Sequence, residues 1–423
     1  MKDKPLKVTW CAYDWREQVS GPGTWLAGLL PLLQERGILS VVDLLIWDEP
    51  GPLASSLKDV GIECRLIPIE GSSQDRIRKL IASFKRSQSD IYVANLVTPA
   101  LLAASYIRQS GTPTVGVLHS DDDFYQGVID VFLRGRRQDA LSAAVTVSNC
   151  LSEKALEASL HGTLIKQIPC GVPVPDASTL VGAKEDLSLL YAGRLEQKQK
   201  RIIDLTNVLL QCVDRFPNCN ATIIGDGAER KNVENLLQSH TAGHRIRLTG
   251  RVLPAAVQEI MKEHDIFLLL SDFEGLPVAL LEAMACGLVP IVHKMRSGIP
   301  ELIQHEVNGL VVEDRSKSVL DAVARLRKDR ILLRRLSQRA RETVVQKYSN
   351  VLCADDWAYL LHHLHASKIS RRQIHLPKSL NLPRVHPALA AEDPRAEEPT
   401  LLSRFFSKMT QYTKTLRANC LAL

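Results

Sequence analysis

The sequence contains no run of 18 apolar residues, and its first ten residues, MKDKPLKVTW, lack the apolar core of a signal peptide. Both absences argue against a membrane-spanning or exported protein. The nine cysteines are odd in number and scattered, and no two are spaced as C-x-x-C. This pattern is typical of reduced thiols and disfavours a disulfide framework or a zinc site. We therefore expect a cytoplasmic protein.

Net charge is also missing from most of the chain. Residues 1–366 contain 43 Lys or Arg and 43 Asp or Glu, whereas residues 367–423 contain ten cationic and four acidic residues. The last 57 residues thus carry the whole formal charge of +6. A neutral body gives no reason to expect a nucleic-acid partner.

Short aliphatic runs alternate with amphipathic segments along the chain. Runs of this kind predict strands of a parallel sheet that is covered by helices on both faces. The predicted strands are 6–12, 41–47, 64–69, 90–94, 113–118, 143–147 and 164–168, then 187–193, 221–225, 245–250, 265–270, 288–293 and 309–314. The clearest predicted helices are 24–36, 74–87, 127–141, 316–348 and 353–366.

The break in this pattern at CGVPVPDASTLVGAKED indicates a linker. We predict two doubly wound, Rossmann-like α/β domains that face a cleft, residues 1–172 and 187–366, joined by residues 173–186. The last helix of the second domain could cross back to the first. In such sheets, ligands bind at the carboxyl ends of the strands, where loops lead into helices.

The stretch SDFEGLPVALLEAMACGLVPIV, residues 271–292, contains two carboxylates and no basic residue. An ionised carboxylate is costly to bury without a partner, so Glu274 and Glu282 are expected to face water or a polar ligand. Pro277 suits the start of a helix, and the free amides before it form an anion site. Alternatively, Glu274 caps this helix and Glu282 lies on its solvated face.

Several motifs resemble the retaining glycosyltransferases of family 4, which have the GT-B fold. The second half contains YAGRLEQKQKRIIDL (191–205), IIGDGAE (223–229), LTGRV (248–252), EGLPVALLEAMACGLVPIV (274–292), SGIPELI (297–303) and VNGLVV (307–312). The first half contains VLHSD (117–121), VSNCLSE (147–153) and IPCGV (168–172). The resemblance covers residues 6–366 and implies a nucleotide-sugar donor, UDP- or GDP-linked, with no cofactor and no metal.

The resemblance also implies roles for individual residues. Arg194 and Lys200 would hold the donor diphosphate, although Lys198 or Arg201 could replace Lys200. Glu274 would lie near the donor sugar, and Glu282 would bind the ribose. Further donor contacts would come from Gly275, Leu276, Pro277, Gly225, Gly227, Arg251 and Val252.

In the first half, the resemblance places His119 against the donor sugar. Alternatively, His119 is a loop histidine whose hydrogen bonds are made within the protein. The loop with Gly21 and Gly23 departs from the family's paired glycines because Pro22 removes an amide donor, which weakens its expected contact to phosphate or acceptor. The DDD run at 121–123 resembles a metal-binding motif of the other glycosyltransferase fold. We interpret it as a solvated loop or an acceptor contact.

The function expected from these patterns is retaining transfer of a sugar from a nucleotide-sugar to a saccharide or lipid-linked acceptor, in cell-envelope or glycan biosynthesis. A sugar-nucleotide isomerase or epimerase, and a non-catalytic binding relative, remain alternatives. Residues 401–420 predict a basic amphipathic helix, with cations outside an apolar arc. It would either dock the enzyme on the inner face of an anionic membrane or pack on protein.

Overall fold

The computed structural model of the protein describes residues 5–15, 20–176, 186–295, 298–367 and 372–389. Residues 401–420, for which an amphipathic helix is predicted, lie outside the described residues, as does most of the predicted linker. In the described ranges, no helix combines the length and the apolar composition needed to cross a bilayer.

The first sheet has seven parallel strands in the order β3-β2-β1-β4-β5-β6-β7. The strands are β1 Leu6–Tyr13, β2 Ile38–Ile46, β3 Glu63–Pro68, β4 Ile91–Asn95, β5 Thr114–Leu118, β6 Ala143–Thr146 and β7 Leu164–Gln167. The helices between them are α1 Gly21–Glu35, α2 Pro52–Asp59, α3 Ser73–Ser87, α4 Thr98–Gln109, α5 Asp123–Phe132 and α6 Asn149–Ala158. The strand order reverses between β1 and β4, which opens a crevice at their carboxyl ends.

The second sheet has six parallel strands in the order β10-β9-β8-β11-β12-β13. The strands are β8 Leu187–Ala192, β9 Cys219–Ile224, β10 Ile246–Gly250, β11 Ile266–Leu269, β12 Val289–His293 and β13 Leu310–Val312. The helices are α7 Ile202–Arg215, α8 Arg230–Ser239, α9 Pro254–Lys262, α10 Val278–Ala285, α11 Ile299–Leu302, α12 Lys317–Lys328, α13 Arg330–Lys347 and α14 Asn350–Ala366. Here the order reverses between β8 and β11.

Both faces of the second sheet are buried, which explains its continuous apolar strands. Along β8, Leu189 and Tyr191 pack into one apolar cluster, whereas Leu190 and Ala192 pack into the cluster shared with the first sheet. The two predicted doubly wound sheets are therefore confirmed, and each of the thirteen predicted strands corresponds to an observed strand within a few residues.

Two helix predictions were wrong in their bounds. The predicted helix 127–141 is α5, which begins at Asp123 because the Asp122 side chain accepts the Tyr125 amide at 3.1 Å. It ends at Phe132, since the chain turns so sharply that a Cβ on Gly135 would lie 2.3 Å from the Val131 carbonyl oxygen. The predicted helix 316–348 is two helices, divided at Asp329, whose side chain caps α13.

The chain returns to the first sheet after the second. In α14, Trp357 is fully buried, and its ring centroid lies 5.1 Å from that of Trp10 in β1. Residues 372–389 then run over the surface of the first domain, where Arg78 and Lys85 donate hydrogen bonds to their carbonyl groups. Leu389, at the end of this segment, is buried beside Gly127 of α5.

Candidate active site

Two loops meet where the strand order of the second sheet reverses. The loop after β8 spans residues 193–201, and the loop after β11 spans residues 270–277. The Asp272 amide donates to the Gln199 carbonyl at 2.9 Å, and the Gln199 side chain donates to the Phe273 carbonyl at 3.1 Å. These bonds join the two loops into one wall of the crevice where a doubly wound sheet binds its ligand.

Lys200 and Glu274 form an ion pair across these loops. The Lys200 Nζ donates to Glu274 Oε1 at 2.6 Å, with side-chain exposures of only 16% and 6%. Glu274 therefore does not face water as the sequence suggested, since its cation comes from a segment 74 residues earlier. Lys198 is exposed, and Arg201 pairs with Asp204 at 2.7 Å. Of the three candidate cations, Lys200 is thus the one that reaches Glu274.

Arg194 lies at the mouth of the same crevice. Its Nη2 donates to Gln199 Oε1 at 2.7 Å, and its Nη1 is 3.1 Å from Glu196 Oε2. The side chain is 59% exposed, so it keeps guanidinium surface for a ligand. Gln199 therefore touches both Arg194 and the loop that carries Glu274, a role that its sequence neighbourhood, QKQK, did not reveal.

The glycine-containing loops predicted on the nucleotide side pack against the loop after β8. Gly225 has a φ of +139°, and a Cβ there would lie 1.9 Å from the Gly193 carbonyl oxygen. A Cβ on Gly227 would lie 2.5 Å from the Leu195 carbonyl oxygen. Only glycine permits these approaches. At the edge of the same surface, Arg251 is exposed and Val252 is half-buried.

The helix that contains Glu282 begins without a side-chain cap. Pro277 is the N-cap residue of α10, so Glu274 does not cap this helix, and the alternative interpretation of Glu274 was wrong. Gly275 and Leu276 immediately precede it. Glu282 is half-buried rather than fully solvated, and burial raises the pKa of its carboxyl to about 7. Such a carboxylate gains from a hydrogen-bonding ligand that compensates its lost hydration.

The two domains touch at this crevice. A Cβ on Gly275 would lie 1.8 Å from the His119 carbonyl oxygen, so the loops after β11 and β5 are in direct contact. The His119 ring places its Nε2 2.6 Å from Asn95 Oδ1 and its Nδ1 3.9 Å from Cys170 Sγ. Burial lowers the pKa of His119 to about 3, so the ring is neutral at physiological pH. Its side chain is satisfied within the protein, and its backbone faces the second domain.

A second contact between the domains lies beside the first. Glu301 in α11 accepts the Asn149 amide at the start of α6, at 2.9 and 3.1 Å, and the Gln167 side chain at 3.2 Å. Sequence reasoning did not single out Glu301, although it lies within the quoted SGIPELI motif. Its carboxylate joins a helix N-terminus of one domain to a helix of the other; burial raises the pKa of this carboxyl, and the hydrogen bonds from Asn149 and Gln167 oppose that shift.

At the start of α1, the helix is capped by a side chain of its own loop. The Ser20 hydroxyl accepts the Gly23 amide at 3.1 Å, and Pro22 has no amide hydrogen. A Cβ on Gly21 would meet no atom within 4 Å. Gly21 and Gly23 thus offer fewer free amides to a ligand than the family's glycine loop would.

Two of the three aspartates at 121–123 have local partners. Asp121 pairs with Lys154, and Asp122 caps α5. Among the described residues, no group of three or more His, Cys, Asp or Glu side chains is arranged to hold a metal ion. A polar cavity of about 390 Å³ lies at the amino ends of β8, β9 and β10, lined by residues such as Ser188, Arg247 and His264. Because it is at the opposite end of the sheet from the crevice, we do not assign the donor to it.

Comparison with solved structures identifies the architecture. HepE of Anabaena, solved in complex with UDP, superposes with a TM-score of 0.67 at 18% identity, covering 85% of this chain and 100% of HepE. Sucrose-phosphate synthase of Thermosynechococcus elongatus gives a TM-score of 0.66 at 17% identity, covering 86% of this chain and 100% of the synthase. The fold is GT-B. At these identities the similarity establishes the GT-B architecture and not the substrate.

Sequence comparisons point to the second domain of the GT-B fold. Residues 180–343 match the family model described as "Glycosyl transferases group 1". N-acetyl-alpha-D-glucosaminyl L-malate synthase of Bacillus anthracis is 33% identical over 168 residues, 40% of this chain and 43% of that protein. The amylovoran biosynthesis glycosyltransferase AmsK of Erwinia amylovora is 36% identical over 147 residues, which cover 33% of this chain and 35% of that protein. The aligned part thus spans less than half the length of each relative.

Proposed function

We propose that this protein transfers a sugar, with retention of anomeric configuration and without a metal ion, from a nucleotide-sugar donor to a saccharide or lipid-linked acceptor. The observation that carries the proposal is the Lys200–Glu274 ion pair beside Arg194 at the strand-order reversal of the second sheet. The match of residues 180–343 to group 1 glycosyltransferases supports the reaction class. The donor is proposed to be a UDP- or GDP-sugar, and UDP is the first nucleotide to test because HepE was solved with it.

In this proposal Arg194 and Lys200 bind the donor diphosphate. Their charges offset the negative charge that grows on the leaving group as the sugar–phosphate bond breaks. Glu274 holds Lys200 in place through the 2.6 Å bond and lies next to the donor sugar. The backbone of residues 275–277, at the start of α10, binds sugar hydroxyls or phosphate.

The nucleoside lies deeper in the second domain. Glu282 accepts hydrogen bonds from the ribose hydroxyls, which compensates for the burial that raises its pKa. Arg251 and Val252 border the base. Gly225 and Gly227 let their loop pack against the loop that carries Arg194, since a side chain at either position would strike it, and their backbone is proposed to contact the donor. His119 lies across the crevice, with its ring bonded to first-domain residues and its backbone on the side of the donor sugar.

Within the described part of the crevice we assign no enzymatic nucleophile, because the Glu274 carboxylate is bonded to Lys200. The resemblance to family 4 instead implies front-face substitution, in which the leaving phosphate takes the acceptor's proton as the new glycosidic bond forms. The protein then contributes orientation of donor and acceptor and stabilisation of the diphosphate. An isomerase of the same fold would convert the donor without an acceptor, and a binding relative would leave it unchanged.

The first domain, residues 1–172, is proposed to bind the acceptor, and residues 187–366 the donor.

Residues 401–420 are proposed to attach a cytoplasmic enzyme to an anionic membrane surface. Each cation near such a surface adds about 1 kcal/mol, and salt screens the attraction. The full chain should therefore float with anionic liposomes at low salt, and a chain ending at residue 399 should not. Equal partitioning of the two would contradict membrane attachment.

The donor is identified first by thermal shift with UDP, GDP and ADP. A ligand at 100 times its Kd stabilises the folded state by about 2.7 kcal/mol. Turnover of the matching sugar nucleotides is then measured with and without glycan acceptors. Transfer only with acceptor supports the proposal; conversion without acceptor favours the isomerase, and binding without turnover favours the non-catalytic relative.

Arg194→Ala tests the diphosphate site. We expect turnover to fall by about 10²–10³-fold, with a smaller loss of nucleotide affinity, because the charge matters most in the transition state. Arg339→Ala is the matched control, since Arg339 is 63% exposed and pairs with Glu342 at 2.9 Å, but lies on α13. Similar turnover in the two variants would mean that Arg194 does not bind the diphosphate.

A further inference from the structure

Three aromatic side chains form an exposed cluster at the carboxyl ends of β1 and β2. The rings of Trp15 and Trp47 are stacked, with centroids 4.2 Å apart and planes inclined by 26°. The Tyr13 ring lies 5.4 Å from Trp15 and 5.6 Å from Trp47. Trp47 is 44% exposed and Trp15 is half-buried, so the stack presents aromatic surface to solvent, while Tyr13 packs against the main apolar core.

This cluster lies at the ligand-binding position of the first sheet. The strand order reverses between β1 and β4, and Tyr13 ends β1 while Asn95 ends β4. A small cavity at this point is lined by residues that include Trp15, Ser20, Asn95 and Leu96. Leu96 has a φ of +55°, which is unfavourable for a leucine. Backbone strain of this kind concentrates at functional sites.

Contacts connect the cluster to the proposed donor site. Asn95, in the wall of the cavity, is 2.6 Å from the His119 ring. The carbonyl group of His119 in turn abuts Gly275, the residue after Glu274. A short series of contacts thus links the aromatic cluster, through Asn95 and His119, to the loop that carries Glu274.

The chemistry of the surface favours a neutral polyol. The residues after Trp47 are Asp48, Glu49 and Pro50, all exposed, so two acidic side chains directly follow this indole in the chain. Carboxylates repel phosphate and anionic lipid headgroups but accept hydrogen bonds from hydroxyl groups. A pyranose ring has an apolar face of C–H groups, which fits an indole, and a rim of hydroxyls, which fits the carboxylates. Sites with aromatic walls and a few polar groups are typical of small-molecule recognition.

We propose that Trp15 and Trp47, supported by Tyr13, form the platform on which a pyranose ring of the acceptor stacks. This assignment rests on the proposed function, since it supplies the acceptor side of the transfer reaction. It narrows the acceptor to a molecule with a sugar ring near the attacking hydroxyl.

The test uses the full chain saturated with UDP and four simple probes. These are the methyl pyranosides of glucose, galactose, mannose and N-acetylglucosamine, at millimolar concentration. Binding is measured by saturation-transfer NMR observed on the sugar. We expect at least one probe to bind the wild-type protein, and we expect Trp47→Ala to weaken its binding by at least about tenfold, as for a buried aromatic anchor. Trp47→Phe should retain part of the binding.

Tyr359→Ala is the matched control, because Tyr359 is an aromatic residue 71% exposed on α14, far along the chain from the cluster. It should bind the probe like wild type. UDP affinity should be the same in all variants, which distinguishes loss of the platform from loss of the fold. Trp15→Ala provides a second removal of the stack and should act in the same direction.

The proposal is overturned if the wild-type protein binds none of the four pyranosides, or if both alanine variants bind them like wild type. Failure of the proposed function would look different. In that case UDP and its sugars would not bind, and the pyranoside titration, repeated without nucleotide, would still decide whether the aromatic platform binds sugar.

Discussion

Replacing Lys200 by alanine tests the central ion pair of the candidate site. The 2.6 Å contact joins a lysine that is 16% exposed to a glutamate that is 6% exposed. Two unit charges at that separation attract by about 6 kcal/mol at an effective dielectric constant of about 20, and desolvation offsets much of this. Removing one partner leaves the other charge buried without compensation. Such losses cost about 3–5 kcal/mol of unfolding free energy.

The exposed pair Lys294–Glu313 provides the matched control. Its Nζ–Oε1 distance is 3.0 Å, but the two side chains are 67% and 73% exposed. Lys294→Ala should therefore cost less than about 1 kcal/mol. A second variant, Lys200→Ala combined with Glu274→Gln, removes the stranded charge and should recover most of the lost stability.

The assay must report on the second domain. All five tryptophans lie in the first domain or in α14, which packs on it: residues 10, 15, 25, 47 and 357. Intrinsic fluorescence would thus miss the predicted change, and urea unfolding should be followed by far-UV circular dichroism. If Lys200→Ala costs no more than Lys294→Ala, or if Glu274→Gln fails to rescue it, the pair does not organise this site.

Two further predictions concern Glu282 and Gly275. Because the pKa of Glu282 is about 7 and the ribose is proposed to bind its ionised form, UDP affinity measured by calorimetry should rise about tenfold from pH 6 to pH 8. In Glu282→Gln, only the pH dependence that comes from titration of the UDP phosphate should remain. The same pH dependence of UDP affinity in both proteins would contradict the ribose role. Gly275→Ala places a Cβ 1.8 Å from the His119 carbonyl oxygen, so we expect the domain contact to loosen and sugar transfer to fall more than UDP binding. If Gly275→Ala transferred sugar at the wild-type rate, the contact would not be required for activity.

The pKa shift of Glu282 also has a consequence for stability without ligand. The folded-state pKa lies above the ordinary carboxyl value of 4.5, so folding favours the protonated form. The contribution of this group to the free energy of unfolding is present below about pH 4.5 and is lost as pH rises through 7. At pH 7 about half of the molecules thus carry Glu282 as a carboxylate, which the proposed ribose contact would stabilise.

The sequence by itself determined the architecture. Continuous apolar strands with intervening amphipathic helices are the local requirement of a parallel sheet covered on both faces, so the positions of all thirteen strands could be predicted. Pro277 marked the start of α10, because proline favours the start of a helix. Helix bounds failed where caps decided them, as at Asp122 and Asp329.

Only the tertiary structure decided which side chains meet. Glu274 and Lys200 are 74 residues apart, and they pair because β8 and β11 are neighbours in the sheet. The stack of Trp15 on Trp47 likewise follows from the pairing of β1 with β2. Local periodicity specifies which face of an element is buried, but it contains no information on strand order. Contacts between the ends of separate strands, which form both sides of this cleft, therefore could not be read from the sequence.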